Sequence, residues 1–322
     1  MKNMKLKLFI PLLTIALIVF NSCDKIDNPY LPQYVDIDTT LLDGIDIVEY
    51  KSTYWPNFKQ NTNTERNILI EDYTGHKCVN CPEAAIELKQ IIESNPERIF
   101  GAGIHIGPNG TKPFQTTSGN LFAADYTTPE GIEMSKEITD GGFIGNPSGT
   151  ISRTKVNNQI FHTYSSWASI ANNVLNENDL KVNIQSKVNY FANTRGVFLH
   201  TEAEFLTDFT DELYQVVYVV EDSTISAQST PSSWNFPNDV DVNYVHRDVH
   251  RGNIDGKAMG RKLDESVKID KDGNIIEGNK YYLNYSYMLP DEYNVENMHL
   301  LIYVYNKSTF EIYQVIKQEI IE

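Results

Sequence analysis

The stretch NILIEDYTGHKCVNCPEAAIELKQIIESNPERIFGAGIHI (residues 67–106) decides the fold of the amino-terminal half. Residues 67–75 read as a buried strand, a continuous apolar run that ends in a glycine. From Pro82 the period changes. Cys81, Ala84, Ala85, Leu88, Ile91 and Ile92 recur at helical spacing on one face, with Glu83, Glu87 and Lys89 off it. Pro82 suits a first helical turn, where its missing N–H costs nothing. NPER (95–98) stops the helix, and IFGAGIHI (99–106) is a second buried strand. Strand, helix and strand at this spacing predict a βαβ unit with a parallel sheet.

Two cysteines, Cys78 and Cys81, stand three apart where the first strand passes into the helix. The unpaired N–H groups and dipole of a helix start favour thiolate over thiol. Cys78 is therefore expected to be the exposed attacking thiol. Cys81, one turn on and buried, would resolve a mixed disulfide. Lys77 and His76 are expected to add positive charge that lowers the Cys78 pKa further. Three other readings stand beside this one. The pair could be a structural disulfide, although a four-residue loop constrains the unfolded chain little. It could be a metal clip completed by His76 or His105, but no fourth ligand declares itself. It could also be a degenerate site on a binding protein.

The amino terminus sets the compartment. Lys2, Lys5 and Lys7 precede the apolar run LFIPLLTIALIVF (8–20), which has the length of a signal-peptide core and is short for a bilayer span. The run ends at NSCDK (21–25), which resembles the lipobox of bacterial lipoproteins. Residues 1–22 are read as the signal and Cys23 as the lipidated first residue of the mature chain. The cysteine count agrees: lipid on Cys23 leaves Cys78 and Cys81 as a pair. Several acyl chains on one residue give durable anchoring to a membrane. Loss of three lysines with the signal, from 27 basic residues against 43 acidic, leaves a net charge of −19. A surface that acidic argues against nucleic acid as a partner.

Residues 23–59 mix prolines, acids and scattered apolar residues without periodicity, and are expected to form an acidic tether. The polar, glycine-rich region 107–141 holds two expected helices, about 115–124 and 129–138. HTYSSWASIANNVLN (162–176) places Trp167, Ile170, Ala171, Val174 and Leu175 on one helical face. After residue 178 the period becomes two. KVNIQSKV, GVFLHTEAEF, LYQVVYVVED, MHLLIYVYN and FEIYQVIKQ read as strands, with NKST (306–309) as a hairpin loop. The half from 177 to 322 is expected to be an all-β sandwich.

Around the cysteine pair the segment resembles the thioredoxin superfamily. That resemblance implies that Asp72, six residues before Cys78, is a buried acid assisting proton transfer. It implies that IGNPSG (144–149) is the cis-proline loop, with Pro147 beside the disulfide and the backbone near Asn146 able to pair with a bound peptide. Lys77 stands where the superfamily carries tryptophan, and Val79-Asn80 replaces its usual central dipeptide. Nearly the whole chain after the tether resembles a narrower group, the outer-membrane-protein-28-related lipoproteins of Bacteroidetes-type bacteria. EDYTGHKCVNCPEAA (71–85), NPSGTISR (146–153), YQVVYVVEDSTISAQ (214–228) and YVHRDVHRGNIDGKAMGRKL (244–263) carry it. The resemblance implies an α/β thioredoxin-like domain (60–176) followed by an all-β, immunoglobulin-like sandwich domain (177–322). It also implies a lipid anchor in the outer membrane and roles at the cell surface.

Other motifs lead nowhere catalytic. HRDVHR sets His246 and His250 four apart, in a β context where both would share one strand face, with no third ligand placed. DKDGN (270–274) opens like a calcium loop, but Tyr281 occupies the position that needs glutamate, so it reads as a turn. No serine-nucleophile motif, P-loop or catalytic carboxylate pair stands out, and no cofactor or metal is expected. Two functions remain: thiol–disulfide exchange on exported proteins or peptides, or surface binding with Cys78–Cys81 as a fixed disulfide.

Overall fold

In the computed structural model, which describes residues 37–321, the expected βαβ unit is formed by β1 (Ile68–Tyr73), α2 (Cys81–Ser94) and β2 (Ile99–Ile104). β1 and β2 run parallel, with Ile68 opposite Ile99 and Tyr73 opposite Ile104. The other edge of β1 pairs antiparallel with β3 (Ser148–Ile151), which pairs in turn with β4 (Phe161–His162). Two further helices belong to this half, α3 (Pro129–Ile138) and α4 (Trp167–Glu177). Thr128 caps α3 by accepting from Gly131 N–H. Gly149 has to be glycine, because a Cβ there would stand 2.3 Å from the Trp167 ring and 2.8 Å from the Glu71 carbonyl oxygen.

The sheet does not stop at residue 177. β2 also pairs, at the single position Gly103–Val249, with β10 (Val249–Asn253). Beyond β10 lie β7 (Leu213–Glu221), β13 (Met298–Asn306) and β14 (Ile312–Glu319). A short strand, β11 (Arg261–Lys262), pairs with β7, completing nine strands. Strands from both sides of the expected boundary thus share one sheet. At the boundary itself, Asn178 ends α4 in a left-handed turn, and its side chain accepts from Arg66 N–H at 2.8 Å and from Arg98 at 2.9 Å.

Alternation along the strands explains the layers. Ile68, Ile70, Ile99 and Ile151 face α2 and α4. Val217, Val219, Leu300, Ile302 and Val304 face a three-stranded sheet of β5 (Val182–Phe191), β6 (Gly196–Phe205) and β12 (Lys280–Met288). The intervening residues Leu69, Tyr73, Val216, Tyr218, Val220, Leu301 and Tyr303 join one continuous core with Met134 and Ile138 of α3. Inside that core Arg153 and Glu71 form a fully buried ion pair of 2.6 Å. Burial pushes the Glu71 carboxyl up, but the Arg153 charge and hydrogen bonds from Arg153, Thr150 and Tyr218 outweigh it and hold the carboxyl below its usual range.

Three expectations need correction. Part of the expected tether is packed: Asp46 caps α1 (Ile47–Thr53), and Leu42 and Tyr50 are buried against Phe198 of β6. Tyr50 Oη pairs with His200 Nε2 at 2.7 Å. Residues 115–124 are not a helix. Gly119 and Asn120 turn the chain, and Ser118 pairs across to Phe122. His246 and His250 lie on different strands, β9 (Val240–His246) and β10, because Asp248 turns the chain with φ 47°. β9 pairs with β8 (Thr224–Ser229) in a separate hairpin. Cys23 and the signal segment lie outside the described residues.

Candidate functional site

The chain leaves β1 at Tyr73 and turns through Thr74 to Lys77 before α2 begins. Cys78 N–H donates to Gly75 O at 2.9 Å, which closes the turn, and Cys81 starts the helix. Gly75 is crowded: a Cβ there would meet Phe114 and Gln115 at 2.8 Å. Cys78 and Cys81 are joined as a disulfide. Cys78 is only 2% exposed and Cys81 1%, so the expectation of an exposed first thiol is corrected. The dipeptide between them, Val79-Asn80, faces solvent instead.

Two segments remote in sequence bury the pair. From the carboxyl-terminal half, the β8–β9 hairpin lays Gln228 and Ser229 over the turn. Ser229 N–H donates to His76 O at 2.8 Å, and Gln228 Nε2 donates to Cys78 O at 3.0 Å and Gly75 O at 3.3 Å. From the 107–128 region, Gln115 Nε2 donates to Thr74 O at 2.6 Å, and Lys77 N–H to Phe114 O at 2.9 Å. The two covers are tied together, since Tyr126 Oη donates to Ser226 Oγ at 2.9 Å. Neither cover carries a local sequence motif.

Lys77 Nζ donates to Thr116 Oγ1 at 3.0 Å and lies over the Phe122 ring. His76 is buried beside the same segment, its Nε2 3.2 Å from Thr116 O. Burial lowers the His76 pKa, so the ring is neutral near pH 7 and does not add the positive charge expected of it.

Beneath the covers lies a cavity of about 390 Å³ bounded by Asp72, Cys81, Pro82, Leu88, His105 and Tyr244. Asp72 is 3% exposed and its Oδ1 has no hydrogen-bond partner. Burial alone raises its carboxyl to about 7, so near neutral pH it is divided between its protonated and charged forms. His105 Nδ1 is likewise unpartnered, and burial with neighbouring His246 drives its pKa well down. The His105 ring stands 5.7 Å from that of His246, which burial lowers to about 4. Both rings are neutral. Among the described residues no group of three His, Cys, Asp or Glu side chains is placed to hold a metal ion.

Asn146–Pro147 is a cis peptide immediately before β3, whose Ser148 pairs opposite Tyr73 at the end of β1. The Asn146 amide donates to Ile106 O at 2.9 Å, while its Oδ1 is buried without a partner. Sequence reasoning missed Gln228, Tyr244 and His246 at this site. All three come from the hairpin; His246 stood out in sequence only for its spacing from His250, and Gln228 and Tyr244 only at the ends of stretches that carry the family resemblance.

The sequence model of the family described as Outer membrane protein Omp28 matches residues 138–322. That is more than half of the chain, and the span contains the β8–β9 hairpin but not Cys78 and Cys81. Comparison with curated proteins finds no match. Among solved structures, HBP35 of Porphyromonas gingivalis aligns with a TM-score of 0.58 at 15% identity, over 80% of this chain and 76% of its own. A domain of the outer membrane lipoprotein Omp28 from the same organism aligns with a TM-score of 0.27 at 18% identity, over 44% of this chain and 89% of its own. The family match spans most of the large sheet and all of the three-stranded one, and on it this chain belongs to the Omp28 family of outer-membrane proteins.

Proposed function

We propose that the protein is a lipoprotein anchored through lipid on Cys23, whose thioredoxin-like segment (60–176) performs thiol–disulfide exchange in the cell envelope. In this reading residues 177–322 are an immunoglobulin-like sandwich that shields the site. The observation that carries the proposal is that buried Asp72, raised to about 7, and Cys81 of the Cys78–Cys81 disulfide border one cavity. An unpartnered carboxyl titrating near 7 is costly to retain in a core, and it suits a group that gives a proton to a departing thiolate. The parallel β1–α2–β2 unit, antiparallel β3 and cis Pro147 support the thioredoxin-like reading. In it Cys78 and Cys81 exchange and Asp72 moves the proton, while the Asn146–Pro147 turn does not border the cavity.

A second reading has its own support. Cys78 is buried and its carbonyl is already bonded to Gln228, as a fixed disulfide in a surface-binding protein would be. Titration of the native protein in dithiothreitol redox buffers separates the two. Exchange predicts a disulfide that opens without unfolding and a Cys78 thiol whose alkylation titrates below the ordinary value of about 8.5. A disulfide that opens only in denaturant leaves the binding reading.

A further inference from the structure

The disulfide is closed to proteins on one side and open to a cavity on the other. A polypeptide substrate approaching Cys78 would need backbone groups beside it. Those on the turn itself are occupied: β8 holds His76 O and Cys78 O, and the 114–116 segment holds Thr74 O and Lys77 N–H. Cys81, by contrast, forms part of the wall of the 390 Å³ cavity, together with unpartnered, buried Asp72. A volume of that order is what small-molecule sites offer. Pro82, Ala85 and Leu88 give it an apolar wall, and Lys89, Glu93 and Arg247 place both signs of charge at its border.

We propose that the reductant or oxidant of this disulfide is a low-molecular-weight, zwitterionic thiol that enters the cavity and reacts at Cys81 rather than Cys78. The proposal rests on the exchange reading and names its substrate class. Cys81 borders the cavity and Cys78 does not, so a thiolate RS⁻ that enters the cavity attacks Cys81 Sγ. The Sγ–Sγ bond breaks, Cys81 carries the mixed disulfide, and Cys78 departs with the electron pair. Cys78 suits that role because it sits at the amino end of the 14-residue α2, where thiolate is favoured and a thiol of low pKa leaves faster. A second RS⁻ attacks the sulfur of the bound R group, forming RSSR and releasing Cys81 thiolate, which takes the Asp72 proton. Two RS⁻ become RSSR, and the protein disulfide becomes Cys78 thiolate and a Cys81 thiol whose proton came from Asp72. Two electrons have moved, and the two protons that RSH gave to solvent on forming RS⁻ return from it, one to Asp72 and one to Cys78.

The test uses the full mature chain in its oxidised form. Its disulfide is reduced under native conditions with glutathione, or with a reduced protein dithiol of the thioredoxin class at equal thiolate concentration. The proposal expects glutathione to be faster by about tenfold or more, the reverse of the usual order for an open dithiol site. Equal rates, or a faster protein dithiol, overturn it while leaving the exchange reading intact. If neither opens the native disulfide and both open it in urea, the exchange reading falls as well. Cys78→Ser and Cys81→Ser chains incubated with glutathione disulfide locate the reacting atom by mass spectrometry. Cys81 should take up glutathione in the first variant, and Cys78 should stay unmodified in the second. The opposite pattern in chains with native circular dichroism overturns attack at Cys81.

Discussion

Gln228 Nε2 donates a 3.0 Å hydrogen bond to the carbonyl oxygen of Cys78, across 150 residues of sequence. The same amide reaches Gly75 O, and Ser229 N–H next to it holds His76 O. One strand of the carboxyl-terminal half is therefore built into the floor of the turn that carries the disulfide. Gln228→Ala removes the side-chain bonds, while Gly75 O keeps the Cys78 N–H and Cys78 O keeps the Cys81 N–H at 3.3 Å. Two bonds lost at about 0.5–1.5 kcal/mol each make the expected loss about 1–3 kcal/mol of stability in denaturant melts. Reduction by a protein dithiol should speed up in the same variant, because the cover is loosened. An unchanged reduction rate in a destabilised variant would mean that the hairpin does not control access.

Asp72 gives a pH signature. Its carboxyl is raised to about 7 in the folded chain by burial, against about 3.9 in an unfolded one. The folded state thus binds this proton more tightly. The stability it contributes is full below about pH 4 and is lost as pH rises through 7. Asp72→Asn stays neutral throughout. Relative to wild type, the variant should gain about 4 kcal/mol between pH 4 and pH 8, as an order of magnitude. Asp248, also raised to about 7, is present in both proteins and cancels in the difference. Stability curves that run parallel across this range would rule out a buried protonated Asp72.

Anchoring is tested at Cys23, which lies outside the described residues. Cys23→Ala should shift the protein from the membrane fraction to the soluble envelope fraction. Several acyl chains on one residue hold a protein at a membrane, and no helix among the described residues is long and apolar enough to replace them. Persistence of the variant in membranes would assign anchoring to a protein partner.

Local periodicity made much of the fold legible. β1, α2 and β2 come from a single change of period around Pro82, and α3 and α4 from apolar residues recurring every three or four. The partners of the strands were not legible. Nothing in VHRGN marks β10 as the strand that joins β2 at one position to β7, because strand pairing across 146 residues leaves no local pattern. At the site, Cys78, Cys81 and Asp72 could be placed from sequence, but their covers could not. Gln228 and Tyr244 carry no site signal of their own until the hairpin folds back. Residues 115–124 misled for a related reason. Phe122 packs on His76, with the ring centroids 5.3 Å apart, from a turn that contains Gly119.

The buried pair Glu71–Arg153 tests how far the two halves depend on one another. Arg153 donates to both Glu71 carboxylate oxygens, at 2.8 and 2.6 Å, and to the hydroxyls of Tyr218 and Tyr303 at 3.2 Å. Tyr218 Oη donates to Glu71 Oε1 at 2.7 Å. Two of the four members belong to β1 and the turn after β3, and two belong to β7 and β13. Arg153→Met strands an uncompensated carboxylate in the core and should cost about 3–5 kcal/mol, whereas Glu71→Gln with Arg153→Met should cost less than either single change. A chain of residues 60–176 alone lacks both tyrosines and keeps α3 over Leu69, Tyr73, Ala102 and Ile104, but loses the part of that core that β7 and β13 supply. It should therefore give no cooperative thermal transition and should bind a hydrophobic dye, while the full mature chain melts in one step. A sharp, independent melt of 60–176 would show that the shared sheet is an interface between two self-sufficient domains and not a common core.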